Sequence, residues 1–80
     1  MQLVAIKWVD SHSPSLNAWI DESEIDHSPQ IIRTVGWVIN KNRTSITVAS
    51  QITGKGSSQV AGVITIPKCC IKKQREIQEV

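Results

Sequence analysis

Residues 30–52, QIIRTVGWVINKNRTSITVASQI, carry the clearest structural signal in this 80-residue chain. Two runs rich in Ile, Val and Thr flank the tetrapeptide NKNR at positions 40–43, and β-branched residues suit a pleated strand better than a helix. Asn tolerates the left-handed backbone that tight hairpin turns require. We therefore predict a β-hairpin with strands over residues 30–40 and 44–52. Gly36 predicts a bend or the close approach of another backbone.

Three further strands are predicted outside this hairpin, over residues 2–9, 60–66 and 71–77. Within residues 2–9, 30–40 and 44–52, alternation assigns side chains to the two faces of each predicted strand. The sets that share a face are Val4, Ile6 and Trp8; Leu3, Ala5, Lys7 and Val9; Ile31, Val35, Trp37 and Ile39; Ile46 and Val48, inward; and Ser45, Thr47 and Ala49, outward. Because both faces of residues 2–9 are apolar, we expect a second layer over them. Pro67 ends the fourth strand, and residues 67–70 predict one tight turn.

Composition favours an all-β domain. Ile and Val dominate the apolar residues, while Phe and Tyr are absent and only three Trp are present. Eighty residues make one domain, residues 1–80, near the lower size limit for a self-sufficient core. Five strands, a long first connection and at most one or two short helical turns describe a small SH3-like barrel. Trp8 and Trp37 are predicted core fillers, and Trp19 is expected to anchor the long connection in the core.

Charge is divided sharply along the chain. Residues 33–75 contain basic but no acidic side chains, whereas residues 10–26 contain acidic but no basic ones. A field of one sign favours anionic ligands, and the acidic segment could cover that field or meet it on a neighbouring subunit. A chain too small for a large core, with opposite charge blocks and two-sided apolar strands, predicts a homo-oligomer.

No sequence feature indicates a membrane or secreted protein. The N-terminal apolar run is too short for a signal peptide, and no run approaches the ~18 apolar residues of a membrane span. We expect a cytoplasmic protein. Cys69 and Cys70 are adjacent, so a bridge between them would be strained, and we interpret them as packed, reduced thiols.

Several short motifs resemble those of a family of short proteins encoded by phages and prophages. They are Trp8-Val9-Asp10-Ser11, then Trp19, then Thr34-Val35-Gly36-Trp37-Val38, and Ile66-Pro67-Lys68-Cys69-Cys70-Ile71. The family layout is W-x-D-S … W … S-V-G-W … I-P-K-x-x-I, with Thr34 replacing the usual Ser here. The resemblance covers nearly the whole chain but carries no catalytic residues. By class analogy it implies a counter-defence "sponge", which holds a nucleotide immune signal in the cytoplasm of an infected bacterium without cleaving it.

Two segments are candidate phosphate sites. In the loop after the third strand, Gly54, Lys55, Gly56 and Ser57 could form a backbone nest with a cation and a hydroxyl, although solvated hairpin loops share this composition. The G-x-x-x-x-G-K-[ST] spacing of a Walker A loop is absent. The second segment carries the densest basic cluster, Lys68, Lys72, Lys73 and Arg75. Alternation places Lys73 and Arg75 on one side of the last strand, where Lys could equally serve to discourage edge aggregation.

Aromatic and titratable residues complete the candidates. Trp19, in the irregular segment, is the predicted base-stacking residue. His12 and His27 lie beside Asp10 and Asp26, but their spacing matches no known metal or catalytic pattern. We predict neither a metal site, a cofactor nor an enzyme.

The predicted function is sequestration of a small anionic ligand, a nucleotide second messenger, in a basic pocket of a homo-oligomer. The predicted ligand-binding residues are Trp19, Gly54, Lys55, Gly56, Ser57, Lys73 and Arg75. One alternative is a nucleic-acid-binding SH3-like module, although a pI near 8.7 is low for such a protein. The other is an adaptor that inhibits a host enzyme through the acidic segment, residues 21–26.

Overall fold

A computed structural model of the chain describes residues 1–13, 18–54 and 59–79. It contains five strands: β1 (Leu3–Asp10), β2 (Gln30–Lys41), β3 (Ser45–Ile52), β4 (Val60–Pro67) and β5 (Ile71–Glu76). The only helical pieces among these residues are two 3-10 turns, at Glu22–Glu24 and Lys68–Cys70. The all-β class is therefore confirmed, as is the single turn that follows Pro67.

The five strands form one antiparallel sheet in the order β4-β3-β2-β1-β5. Each predicted strand is present, and no strand end is displaced by more than one residue. The sheet is not closed, since β4 and β5 lie at its two ends and do not pair along the described strands. Closure into an SH3-like barrel therefore stays a prediction.

The β2–β3 turn is built around Asn42. Its carboxamide oxygen accepts hydrogen bonds from the backbone N–H groups of Thr44 and Ser45, both at 2.9 Å. The Asn42 backbone N–H also donates to the Ser45 carbonyl oxygen at 3.0 Å. Asn side chains commonly fold back on the chain in this way, so the turn is locally encoded.

One face of the sheet holds the core. Three side chains of β1 are buried there with residues of β3 and β4: Val4, Ile6, Trp8, Ile46, Val48 and Ile66. In the sheet, β2 separates β1 from β3, so the sheet must curve for these strands to share one cluster. Ile32 and Val38 of β2 pack against that cluster, and the Trp8 indole N–H donates to the Thr34 hydroxyl at 3.0 Å. Trp8 is a core residue, as predicted.

Gly36 allows β3 to lie close to β2. A Cβ atom at this position would lie 2.8 Å from the Ala49 carbonyl oxygen, which belongs to the backbone and cannot rotate away. The predicted close approach of another backbone is thereby confirmed. Ala49 lies opposite Trp37, on the face predicted, but it is fully buried.

Two predictions about the core are wrong. Trp37, a predicted core filler, lies with Ile31 and Val35 in the phase of β2 that faces away from the core, because Ile32 and Val38 occupy the buried phase. Trp37 is only half-buried, opposite Leu3, and its buried indole N–H has no hydrogen-bond partner in the described part of the chain. Trp19 does not anchor the long connection, since its side chain is 104% exposed.

Candidate functional site

Three basic side chains form a row across three adjacent strands. Lys7 of β1 lies opposite Arg33 of β2 on one side and opposite Lys73 of β5 on the other. Directly paired residues of an antiparallel sheet project to the same face, with Cβ atoms about 5 Å apart. We call Arg33, Lys7 and Lys73 the basic row. It lies on the outer face of the sheet, opposite the core.

A second row lies two residues along the same strands. Ala5 is paired with Val35 on β2 and with Arg75 on β5. Together the two rows line a cavity of about 430 Å³, whose floor also includes Ile6, Thr34 and Gln74. We call the surface formed by the basic row with Arg75, Ala5 and Val35 the basic face.

The basic face has no internal charge compensation. Lys7, Arg33, Lys73 and Arg75 are all exposed, and none forms an ion pair within residues 1–13, 18–54 and 59–79. Like charges directly opposite each other destabilise a sheet. The row therefore creates a concentrated positive field at a cost in folding free energy, and a bound anion would offset that cost.

The predicted site residues have different positions in the structure. Lys73 and Arg75 lie on one face of β5 and line one cavity, as predicted from alternation. Gly54 follows β3, away from that cavity, and Trp19 is not among the lining residues. Lys55, Gly56 and Ser57 lie outside the described residues. Only the base of their loop is described, where the Thr53 N–H donates to the Gln59 carbonyl oxygen at 3.1 Å.

Lys7 and Arg33 were missed as site residues. Alternation had placed Lys7 on the face of Leu3, Ala5 and Val9, and Arg33 shares the phase of Ile31 and Val35. The pairing of β1 with both β2 and β5 is what brings these two bases beside Lys73. The sequence carries no signal for this, because Lys7 acquires two cross-strand neighbours only when β1 lies between β2 and β5.

The two histidines do not form a metal or catalytic cluster with nearby acids. His12 Nδ1 lies 3.1 Å from the Gln30 side-chain oxygen, while the Asp26 carboxylate accepts a hydrogen bond from the Ser28 N–H at 3.0 Å. That backbone hydrogen bond, with a further one from the Ser28 hydroxyl, lowers the pKa of Asp26 below its ordinary value. Among the described residues, no three His, Cys, Asp or Glu side chains are arranged to hold a metal ion.

Cys69 and Cys70 are free thiols whose sulfur atoms are 4.0 Å apart. The contact with Cys69 raises the pKa of Cys70, since a hydrogen bond to the neutral thiol disfavours the thiolate. A thiol held in its neutral form is a poor nucleophile. Cys70 is therefore not an activated sulfur.

Comparison with known proteins found no match to a family model, to a curated protein or to a solved structure. Over the described residues, no helix is long and apolar enough to traverse a lipid bilayer.

Proposed function

We propose that this chain is a phage-type binding protein, not an enzyme, that sequesters a small anionic ligand on the basic face. The proposed ligand is a nucleotide immune second messenger, and the proposed setting is a homo-oligomer in the cytoplasm of an infected bacterium. The observation that carries the proposal is the basic row, in which three cations lie side by side and none forms an ion pair with an acidic side chain of the described residues.

The size of the row supports a small ligand. Adjacent strands lie about 4.8 Å apart, so the row spans about 10 Å. An apolar pair flanks the row on each side along the strand direction: Val9 with Ile31 on one side and Ala5 with Val35 on the other. A short cationic row between apolar surfaces suits a compact molecule that carries phosphates and a flat base. A nucleic-acid polymer would require the charge to continue along its backbone.

The chemistry of the cavity supports binding without turnover. None of its lining residues is a His, Cys, Asp or Glu, which are the usual general acids, bases and nucleophiles. The one hydroxyl, on Thr34, already accepts a hydrogen bond from the Trp8 indole. Lys and Arg instead supply charge-assisted hydrogen bonds to phosphate, and Arg can contact two phosphate oxygens at once.

The test is mass analysis of small molecules released by denaturing protein purified from bacteria with active nucleotide-signalling defences. We expect a phosphate-containing molecule in stoichiometric amount from the wild type and from Lys41→Gln. We expect little from Lys7→Gln/Lys73→Gln. Equal recovery from the double variant would contradict the proposal. A binding affinity for single-stranded nucleic acid that exceeds that for nucleotides and falls steeply with salt would favour the nucleic-acid alternative.

A further inference from the structure

We propose that residues 19–26 of one copy, which we call the acidic arm, dock on the basic face of a second copy. The acidic arm contains Trp19, Ile20 and four acidic residues, Asp21, Glu22, Glu24 and Asp26. The association does not require a ligand, so it goes beyond the function proposed above.

The first observation is the exposure of Trp19. Its side chain is 104% exposed and Ile20 is 39% exposed, so the acidic arm presents a large apolar surface that its own chain does not cover. Trp is the residue most enriched among those that dominate interface energetics. A fully exposed Trp in a short segment is therefore suited to pack against a surface of another molecule.

The second observation is that, among the described residues, no Lys or Arg forms an ion pair with the acidic arm. The 3-10 turn Glu22–Glu24 is closed by the Glu24 N–H, which donates to the Asp21 carbonyl oxygen at 2.9 Å. This turn leaves the carboxylates exposed, and no base forms an ion pair with them in the described part of the chain. Four carboxylates next to an exposed Trp thus match four unpaired cations next to the half-exposed Val35.

This complementarity of charge favours a second copy of the chain as the molecule that binds the basic face. The acidic arm belongs to the connection between Asp10 and Gln30, which are paired at the end of β1 and β2. Over the described residues, it forms no ion pair with the basic face of its own chain. Two copies related by a twofold axis would each place an arm on the face of the other, which satisfies both surfaces equally.

One consequence does rest on the proposed function. A phosphate ligand and the carboxylates of the acidic arm would contact the same four cations. A bound ligand would therefore displace the arm from the basic face. Increasing salt should weaken the docking of the arm, because exposed charge pairs are screened.

A charge exchange tests the inference without any ligand. The arm variant is Glu22→Lys/Glu24→Lys, and the face variant is Lys7→Glu/Lys73→Glu. In sedimentation velocity at low salt we expect wild-type dimers, monomers of each variant alone, and dimers again when the two variants are mixed. Wild-type protein that stays monomeric, variants that still dimerise alone, or a mixture that fails to associate would each overturn the proposal.

Trp19→Ala provides a second measurement that keeps the fold intact, since Trp19 is outside the core. We expect dimerisation to weaken at least about thirtyfold. Val63→Ala is the control: it truncates another exposed apolar side chain, 52% exposed on β4, and should leave the dimerisation constant unchanged. Equal dimerisation constants for Trp19→Ala and Val63→Ala would overturn the proposal. So would a monomeric wild type whose acidic arm binds a host enzyme instead. If arm docking is disproved, the comparison of ligand recovered from the wild type and from Lys7→Gln/Lys73→Gln still tests the anion site. The two proposals can therefore fail separately.

Discussion

Gly36 is the residue at which the close approach of β3 to β2 depends on the absence of a side chain. In Gly36→Ala the new methyl group would meet the Ala49 carbonyl oxygen at 2.8 Å, and relief requires the β3 backbone to move. We expect a loss of about 1–3 kcal/mol in unfolding free energy, the usual cost of overpacking. Gly54→Ala is the control, because a Cβ there meets nothing within 4 Å. Thermal unfolding should separate the two variants by several degrees, and equal Tm values would contradict this role of Gly36.

Trp8 and Trp19 are chemically identical side chains with opposite surroundings. Trp8 is 7% exposed and Trp19 is 104% exposed. Trp8→Ala should lose about 3–5 kcal/mol, comparable to the whole stability of a small domain, and leave the chain largely unfolded. Trp19→Ala should retain the wild-type free energy of unfolding when dissociated into monomers at high salt. Circular dichroism with urea titration measures both. A strongly destabilised Trp19→Ala monomer would show that this residue packs in the core after all.

At the scale of elements, the strands and the β2–β3 hairpin could be predicted from sequence because their signals are local. β-Branched runs, Asn42 and Pro67 each act within a few residues. The face of β2 could not be predicted, because Ile31 and Val35 in one phase compete with Ile32 and Val38 in the other. Burial of one phase is decided by which strands curve around β2, and no local residue encodes that choice.

The basic row joins three strands, and repulsion among its cations should lower the free energy of unfolding. Because Lys7 has a cation on each side, Lys7→Gln should relieve repulsion and raise the unfolding free energy of the unliganded monomer by up to about 1 kcal/mol at low salt. Lys41→Gln removes the same charge from the far end of β2, where the residue opposite is Ile46, and should have little effect. Urea titrations of dilute protein at low and high salt provide the comparison. A destabilised Lys7→Gln would mean that Lys7 contributes favourable contacts instead of repulsion.

At the scale of the whole molecule, the single chain is more extended than a compact domain. Its radius of gyration is 16.1 Å, whereas about 12 Å is expected for 80 compact residues. Apolar side chains such as Trp19, Ile31 and Val35 remain exposed. Both features support the proposed homo-oligomer, in which surfaces left open by one chain are covered by another.

The candidate site could be predicted only in part, because pairing between strands that are far apart in the chain brings its residues together. Lys73 and Arg75 are two residues apart on one strand, so alternation alone placed them together. Lys7 joins them by pairing with Lys73, 66 positions away in the chain, and Arg33 joins them by pairing with Lys7, 26 positions away. Such pairing depends on the strand order β2-β1-β5, a property of the folded chain as a whole.

The most direct test of the anion site is a nuclear magnetic resonance titration of isotope-labelled protein with inorganic pyrophosphate, a small anion that could bridge two members of the row. We expect saturable shifts of the backbone amide signals of Lys7, Arg33 and Lys73, with those of Lys41 and Arg43 unchanged. The shifts should disappear in Lys7→Gln/Lys73→Gln. Signals that do not move, or that move equally at Lys41 and Arg43, would show that the basic row is only a solvated surface.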